Sequence, residues 1–178
     1  MADLDRSKKH FVLHWGEMGN RWGINRTVAQ IHALLHVSPE PLTAEEIAET
    51  LSVARSNVST SLRELQGWGL VRAVHVLGDR RQHFDSIKDV WEMFRIILDQ
   101  RKRREIDPTL EVLKSCIGEL GQGEADKYTR DRLRELYEFF SEIDALYSDV
   151  RGLPVATIRG AVKARGRVRK LLSAKRKS

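Results

Sequence analysis

Hydrophobic positions fall at helical spacing along most of the chain and change to a strand-like run in one place only. Ile31, Leu34 and Leu35 give an apolar side to a helix over 25–36, which stops at Ser38-Pro39. Thr43 followed by Glu46 predicts a capping box, and Ile47, Ala48 and Leu51 line one face of the short helix behind it. The pattern breaks at Leu51-Ser52 and resumes over 53–66, where Val58, Leu62 and Leu65 stand at i, i+4 and i+7 and predict one buried stripe. Gly67 and Gly69 predict the stop of that helix. From Leu70 to Val76 the β-branched content predicts a strand, Gly78-Asp79 a turn, and Arg81 to Asp85 the returning strand. Two short helices about a tight turn, followed by a hairpin, make a winged helix-turn-helix; the fold class expected is mainly α with a small β-hairpin wing and additional helices for dimerisation.

Opposite the buried stripe, the second helix is polar. It carries Ser56, Ser59, Thr60 and Arg63, with Arg55 and Asn57 near its N-terminus. These side chains suit the edges of base pairs in a major groove, since arginine pairs with guanine, asparagine with adenine, and hydroxyls with bases or phosphates. Arg80 and Arg81 stand at the tip of the hairpin, where a wing meets the phosphate backbone or the minor groove. From Val53 to Phe84 there are five basic residues against two acidic ones. That bias favours double-stranded DNA as the partner; the alternative is a winged module that docks another protein, because Thr43 to Ser86 as a whole has six acidic residues against five basic. Ala54 occupies the place where such helices commonly carry a serine cap, which leaves Ser52 as the candidate.

Helical arms flank this element. Before it, residues 8–19 predict a helix in which Phe11, Val12, Trp15 and Met18 are apolar, joined at Gly23 to the next; that surface is expected to pack on a second subunit. After it, residues 87–104 predict a helix with Val90, Phe94, Ile97 and Leu98 on one side and a basic Arg101 to Arg104 end, then Asp107-Pro108 starts another as cap and first residue. A long helix over 125–149 repeats Leu133, Leu136, Phe140, Ile143, Tyr147 and Val150 at spacings of 3, 4, 3, 4 and 3, a heptad seam for a symmetry mate or for a neighbouring helix of the same chain. The expected organisation is an N-terminal arm over 1–24, the winged domain over 25–86, a helical dimerisation region over 87–150 and a tail over 151–178. Phe11, Trp15, Leu133, Leu136, Phe140, Ile143 and Tyr147 are the expected dimerisation residues.

The run LSVARSNVSTSLRELQGWGLVRAVHVLGDRRQHF, followed by DVWEMF and RKRREIDPTL, resembles the GbsR-like branch of the MarR-type bacterial transcription regulators. The resemblance spans about residues 11–120 and is most specific over 51–94. It implies a dimeric, cytoplasmic repressor or activator of transcription with one winged domain per subunit, with Arg55, Ser56, Asn57, Ser59 and Thr60 in the recognition helix and Arg80 and Arg81 in the wing. It also implies a pseudo-palindromic operator. For the effector it suggests quaternary ammonium compounds, for which the rings of Trp15, Trp22, Trp68 and Trp91 are available. Four tryptophans at apolar helical positions equally fit a core.

Composition narrows the alternatives. With 178 residues the chain has little room for an enzyme beside the winged module, and it shows no Gly-rich phosphate loop, nucleophile elbow or paired catalytic carboxylates. No cofactor is expected. No apolar run reaches membrane-spanning length and no charged-then-apolar leader is seen at the N-terminus, so the protein is expected to stay in the cytoplasm. His10 with His14 and His32 with His36 are i, i+4 pairs, but without a zinc-type set they are expected to be surface residues and not metal ligands. The single cysteine, Cys116, sits among Leu113, Ile117 and Leu120 as a small buried hydrophobe. Net charge is +6, yet residues 151–178 hold ten basic side chains and no acidic one, leaving 21 basic against 25 acidic in the first 150 residues. The tail alone makes the protein basic. It binds nucleic acid without sequence preference, as an architectural protein would, or only solubilises the chain; Val155, Ile158, Val162, Val168, Leu171 and Leu172 give it a weak helical pattern.

Overall fold

In a computed structural model, residues 5–121, 123–160, 162 and 164 are described. The chain divides into two compact units, Met1–Ile97 and Leu98–Ser178. Most of the expected tail lies outside the described residues.

The first unit is assembled on helix α2 (Arg26–Val37), whose Asn25 cap accepts a hydrogen bond from the Thr27 N–H at 2.8 Å. Every residue from Val28 to Leu35 is buried. Helix α1 (Arg6–Arg21) lies against it at very short range, because a Cβ at Gly19 would overlap the Ala29 Cβ and one at Gly16 would overlap the Gln30 side chain. These two glycines are helix-interior contact residues, where the sequence pattern suggests an end at Gly19. Val12 is fully buried, and Phe11 and Trp15 pack partly buried on the same core. The apolar face of α1 therefore has cover within its own chain.

The expected winged element follows. Thr43 is the N-cap of α3 (Ala44–Leu51) in a complete capping box, its hydroxyl accepting from the Glu46 N–H while the Glu46 carboxylate accepts from the Thr43 N–H. Ser52 closes α3 in the left-handed conformation (φ 55°), so it serves as a helix end and not as the cap of the next helix. Helix α4 (Arg55–Trp68) begins at Ala54 without a side-chain cap. It ends in a Schellman motif: the Gly69 N–H donates to the Gln66 carbonyl and the Leu70 N–H to that of Leu65, with Gly69 at φ 80°. Val58, Leu62 and Leu65 point into the core as expected. Strands β2 (Val71–Val74) and β3 (His83–Ser86) pair antiparallel with Val74 opposite His83, so the wing loop spans 75–82. A third strand, β1 (Leu42–Thr43), adds to the other edge of β3 and makes the order β1-β3-β2. Two residues before a helix carry too little pattern to announce a strand.

Helix α5 (Val90–Arg101) runs into one π-helical turn over 102–106, then into α6 (Asp107–Glu119). The Asp107 N–H donates to the carbonyl of Lys102, five residues back. Pro108 accounts for the widened turn, since its ring would strike the carbonyl four residues back in a regular helix and it has no N–H to donate. Asp107 is consequently no helix cap; its carboxylate, like that of Asp144, takes the ammonium of Lys102, at 2.5 and 2.8 Å. The long helix α7 (Glu124–Gly152) packs on α6, and Arg130 closes the turn between them by donating to the carbonyls of Gly121 and Gly123. Cys116 is partly buried on α6.

His32 corrects one expectation, because it is buried in the core at 4% exposure and is no surface residue. Burial, reinforced by the charges of His36 and Lys88, lowers its pKa to about 4 from an ordinary 6.5. Between these values the unfolded chain binds a proton that the folded one refuses, so stability falls as pH drops from about 6.5 to about 4, by on the order of 3 kcal/mol in total. Urea melts across this range should show the slope in the wild type and its loss in His32→Leu. Gly19→Leu should destabilise the protein by about 1–3 kcal/mol or more through overpacking against Ala29, read in the same melts.

Candidate nucleic-acid interface

Three turns of α4 present the polar side chains singled out from the sequence. Arg55, Ser56, Asn57, Ser59, Thr60 and Arg63 are all exposed, while Val58, Ser61 and Leu62 between them are buried. The stripe that anchors the helix thus determines which side chains face outward. The start of α4 is set by the turn at Ser52, where the Val53 N–H donates to the Ala48 carbonyl and holds the two helices of the motif at a fixed angle.

Each arginine but one on this surface has a local partner. Arg55 pairs with Glu45 of α3 at 2.5 Å, and Arg72 with Asp85 across the hairpin at 3.2 Å. Arg63 donates to the Ser59 carbonyl and the Thr60 hydroxyl of its own helix. In the wing loop, Asp79 accepts from the guanidinium of Arg81 and also from its backbone N–H, and these bonds, the guanidinium's foremost, hold its pKa down to about 2. The same contacts raise the pKa of Arg81, so this clamp stays ionised at any neutral pH. Arg80 is exposed beside it. Between α4 and β3 opens a groove of about 300 Å³, lined by Glu45, Arg55, Ser59, Arg63, Gln66 and Arg81 among others. Guanidinium and hydroxyl groups are among its lining, and the arrangement fits an anionic polymer with hydrogen-bonding edges.

Glu45 and Asp79 are the parts of this surface that inspection of the sequence missed. Their signals were present: of the adjacent Glu45 and Glu46 only one is used in the capping box, and Asp79 stands two residues before Arg81.

The four tryptophans are distributed over α1, its C-terminal end, α4 and α5. Trp15 meets Phe11 at 5.4 Å between ring centroids and packs with Trp68 partly buried on the core, Trp22 is 45% exposed, and Trp91 is partly buried. None of them lines the groove. Among the expected dimerisation residues of α7, Leu133, Phe140, Ile143 and Tyr147 are partly buried within their own unit, where Ile143 and Tyr147 line a cavity of about 220 Å³ with Leu98 and Ile106. Leu136 is exposed, and with Phe139, Leu146, Val150 and Leu153 it forms a second apolar stripe turned toward solvent. His10 and His14 are exposed on α1, and no group of three potential metal ligands occurs among the described residues.

Comparison with known proteins agrees with this geometry. The MarR family model matches residues 22–82. The HTH-type transcriptional repressor GbsR of Bacillus subtilis (strain 168) is 21% identical over 90% of this chain and 91% of its own length. The HTH-type transcriptional regulator MmpR5 of Mycobacterium tuberculosis is 28% identical over 67% of this chain and 68% of its own. A crystallised transcriptional regulator superimposes with a TM-score of 0.63 at 24% identity, over 82% of this chain and 96% of the other, and shares the fold.

Because the outward residues carry no packing, Asn57→Ala should change stability by no more than about 0.5 kcal/mol. Leu62→Ala, four residues from Val58 on the buried stripe, should cost about 2–5 kcal/mol in a denaturant titration.

Proposed function

We propose that this chain, which is similar to the MarR-type winged helix-turn-helix transcription regulators and to the repressor GbsR, acts as a homodimer that reads a pseudo-palindromic operator and represses transcription. The observation that carries the reading is the exposed face of α4, where Arg55, Ser56, Asn57, Ser59, Thr60 and Arg63 stand together beside a wing bearing Arg80 and Arg81. In this reading α4 enters the major groove, Arg55 and Asn57 meet base edges, and the wing arginines lie along the backbone or in the minor groove.

Dimerisation supplies affinity that one short helix lacks, since two copies spaced by about 34 Å meet successive major grooves on one side of the duplex. The solvent-facing stripe of α7, Leu136, Phe139, Leu146 and Val150, supports a helical dimerisation region over 87–150. Repression is the sign we assign because the similar relative GbsR bears that name. We assign the chain no catalytic role and place it in the cytoplasm with the genome; no described helix is long and apolar enough to cross a membrane.

Fluorescence anisotropy tests the reading, with full-length protein titrated against duplex from upstream of its own gene and against a shuffled duplex at about 0.15 M salt. The expected preference is about a thousandfold or more. Arg55→Ala and Asn57→Ala should each reduce it by about tenfold. Equal binding to both duplexes would assign the affinity to the basic tail, and binding to neither would favour a protein-docking module.

A further inference from the structure

Arg55 is held by an acidic residue from the neighbouring helix, and this contact is difficult to explain as a stabilising device. Its Nη2 meets the Oε1 of Glu45 at 2.5 Å with the two side chains 68% and 41% exposed. Exposed ion pairs of this kind contribute little to folding, because water screens them and both side chains lose rotamer freedom. A carboxylate beside a surface meant for phosphates also opposes association. The dipole of α3 favours a carboxylate in its first turn, which accounts for an acidic residue at Glu45 but not for its hold on Arg55.

The support behind Glu45 suggests a role for that hold. It occupies the first turn of α3, whose start is held by the capping box between Thr43 and Glu46. Thr43 is fully buried and paired in the sheet with His83 of β3. The backbone that carries Glu45 is therefore fixed from both sides. Arg55, by contrast, is the first residue of a helix without a side-chain cap, and its long side chain is otherwise free in solvent. A flexible arginine loses rotamer entropy when it docks on a base, whereas one already held in place loses less. A guanidinium has five N–H donors, so a contact through Nη2 leaves others for a base edge.

We infer that Glu45 is a positioning residue that holds the Arg55 guanidinium above the α4 N-terminus in an orientation that reads one base pair. The inference rests on the DNA-reading function proposed above. It makes Glu45 a determinant of specificity that touches no DNA itself. Two-point control results: α4 sets the position of the Arg55 backbone, and α3 sets the direction of its side chain.

The test selects duplexes from a random pool on the full-length wild type, then measures competition by every single-base variant of the selected site for wild type, Glu45→Gln and Arg55→Ala. The expected result is that Glu45→Gln flattens the preference at the same base pair as Arg55→Ala, by about tenfold, and leaves the other positions unchanged. Thermal melts of the variants verify that the fold is intact, and a merely structural role for Glu45 would not move the profile at one base pair. An unchanged profile overturns the inference, as does equal tightening for all sequences with a salt dependence steeper by about one phosphate, the signature of simple repulsion. A wild type without any sequence preference would overturn the functional reading itself, a result distinguishable from a wild-type preference that survives Glu45→Gln.

Discussion

Helix α2 is buried on all sides from Val28 to Leu35, and each neighbouring element of the first unit is positioned by the way it packs on this one rod. Helix α1 approaches it through Gly16 and Gly19, α4 crosses it with Val58, Leu62 and Leu65, and β3 adds Phe84. The C-terminal end of α2 is fastened separately. Lys88 donates to the carbonyls of Leu35 and Ser38, and His36 contacts the carbonyl of Ile87. A cation on the last carbonyls of a helix suits both its orphan acceptors and its dipole, so the chain leaving the wing is tied where α2 ends. Because α4 packs directly on this buried helix, the position of α2 fixes where α4 sits.

What reaches the surface is a set of charges with local counterparts. Glu45 holds Arg55, Asp79 holds Arg81, and Asp85 holds Arg72. The outer face therefore has less free positive charge than a count of arginines implies. A polyanion approaching this face would compete with these carboxylates for the guanidinium groups. The second unit has a comparable arrangement, where Lys102, the first residue of the π-helical turn at Pro108, bridges the partly exposed carboxylates of Asp107 and Asp144.

The long helix α7 shows how a periodicity can be correct and its meaning incomplete. Leu133, Leu136, Phe140, Ile143, Tyr147 and Val150 repeat in heptads, but Leu136, Phe139, Ile143, Leu146, Val150 and Leu153 do so as well. The structure turns Leu133, Phe140 and Tyr147 inward within the unit and leaves Phe139 and Leu146 outside, with Leu136 and Val150 also exposed. Leu136, Ile143 and Val150 belong to both registers, so a pattern of spacing alone could not separate them. Only the neighbours supplied by the fold assign the inner one.

Part of the local chemistry was legible, although the caps expected at Ser52 and Asp107 were not found. Legible were the capping box at Thr43 and Glu46, the left-handed stop at Gly69, and the amphipathic pattern of α4 that exposes Arg55, Asn57 and Thr60. These features depend on residues within a few positions of one another, so the sequence by itself determined them. Contacts between distant segments were decided by the tertiary structure. The pairing of β1 with β3, the burial of His32, the approach of α1 to α2 at Gly19 and the hold of Glu45 on Arg55 each join elements whose meeting depends on the whole core. The physical reason is the same in each case, since a close contact between segments costs chain entropy that only the packing of many other side chains offsets.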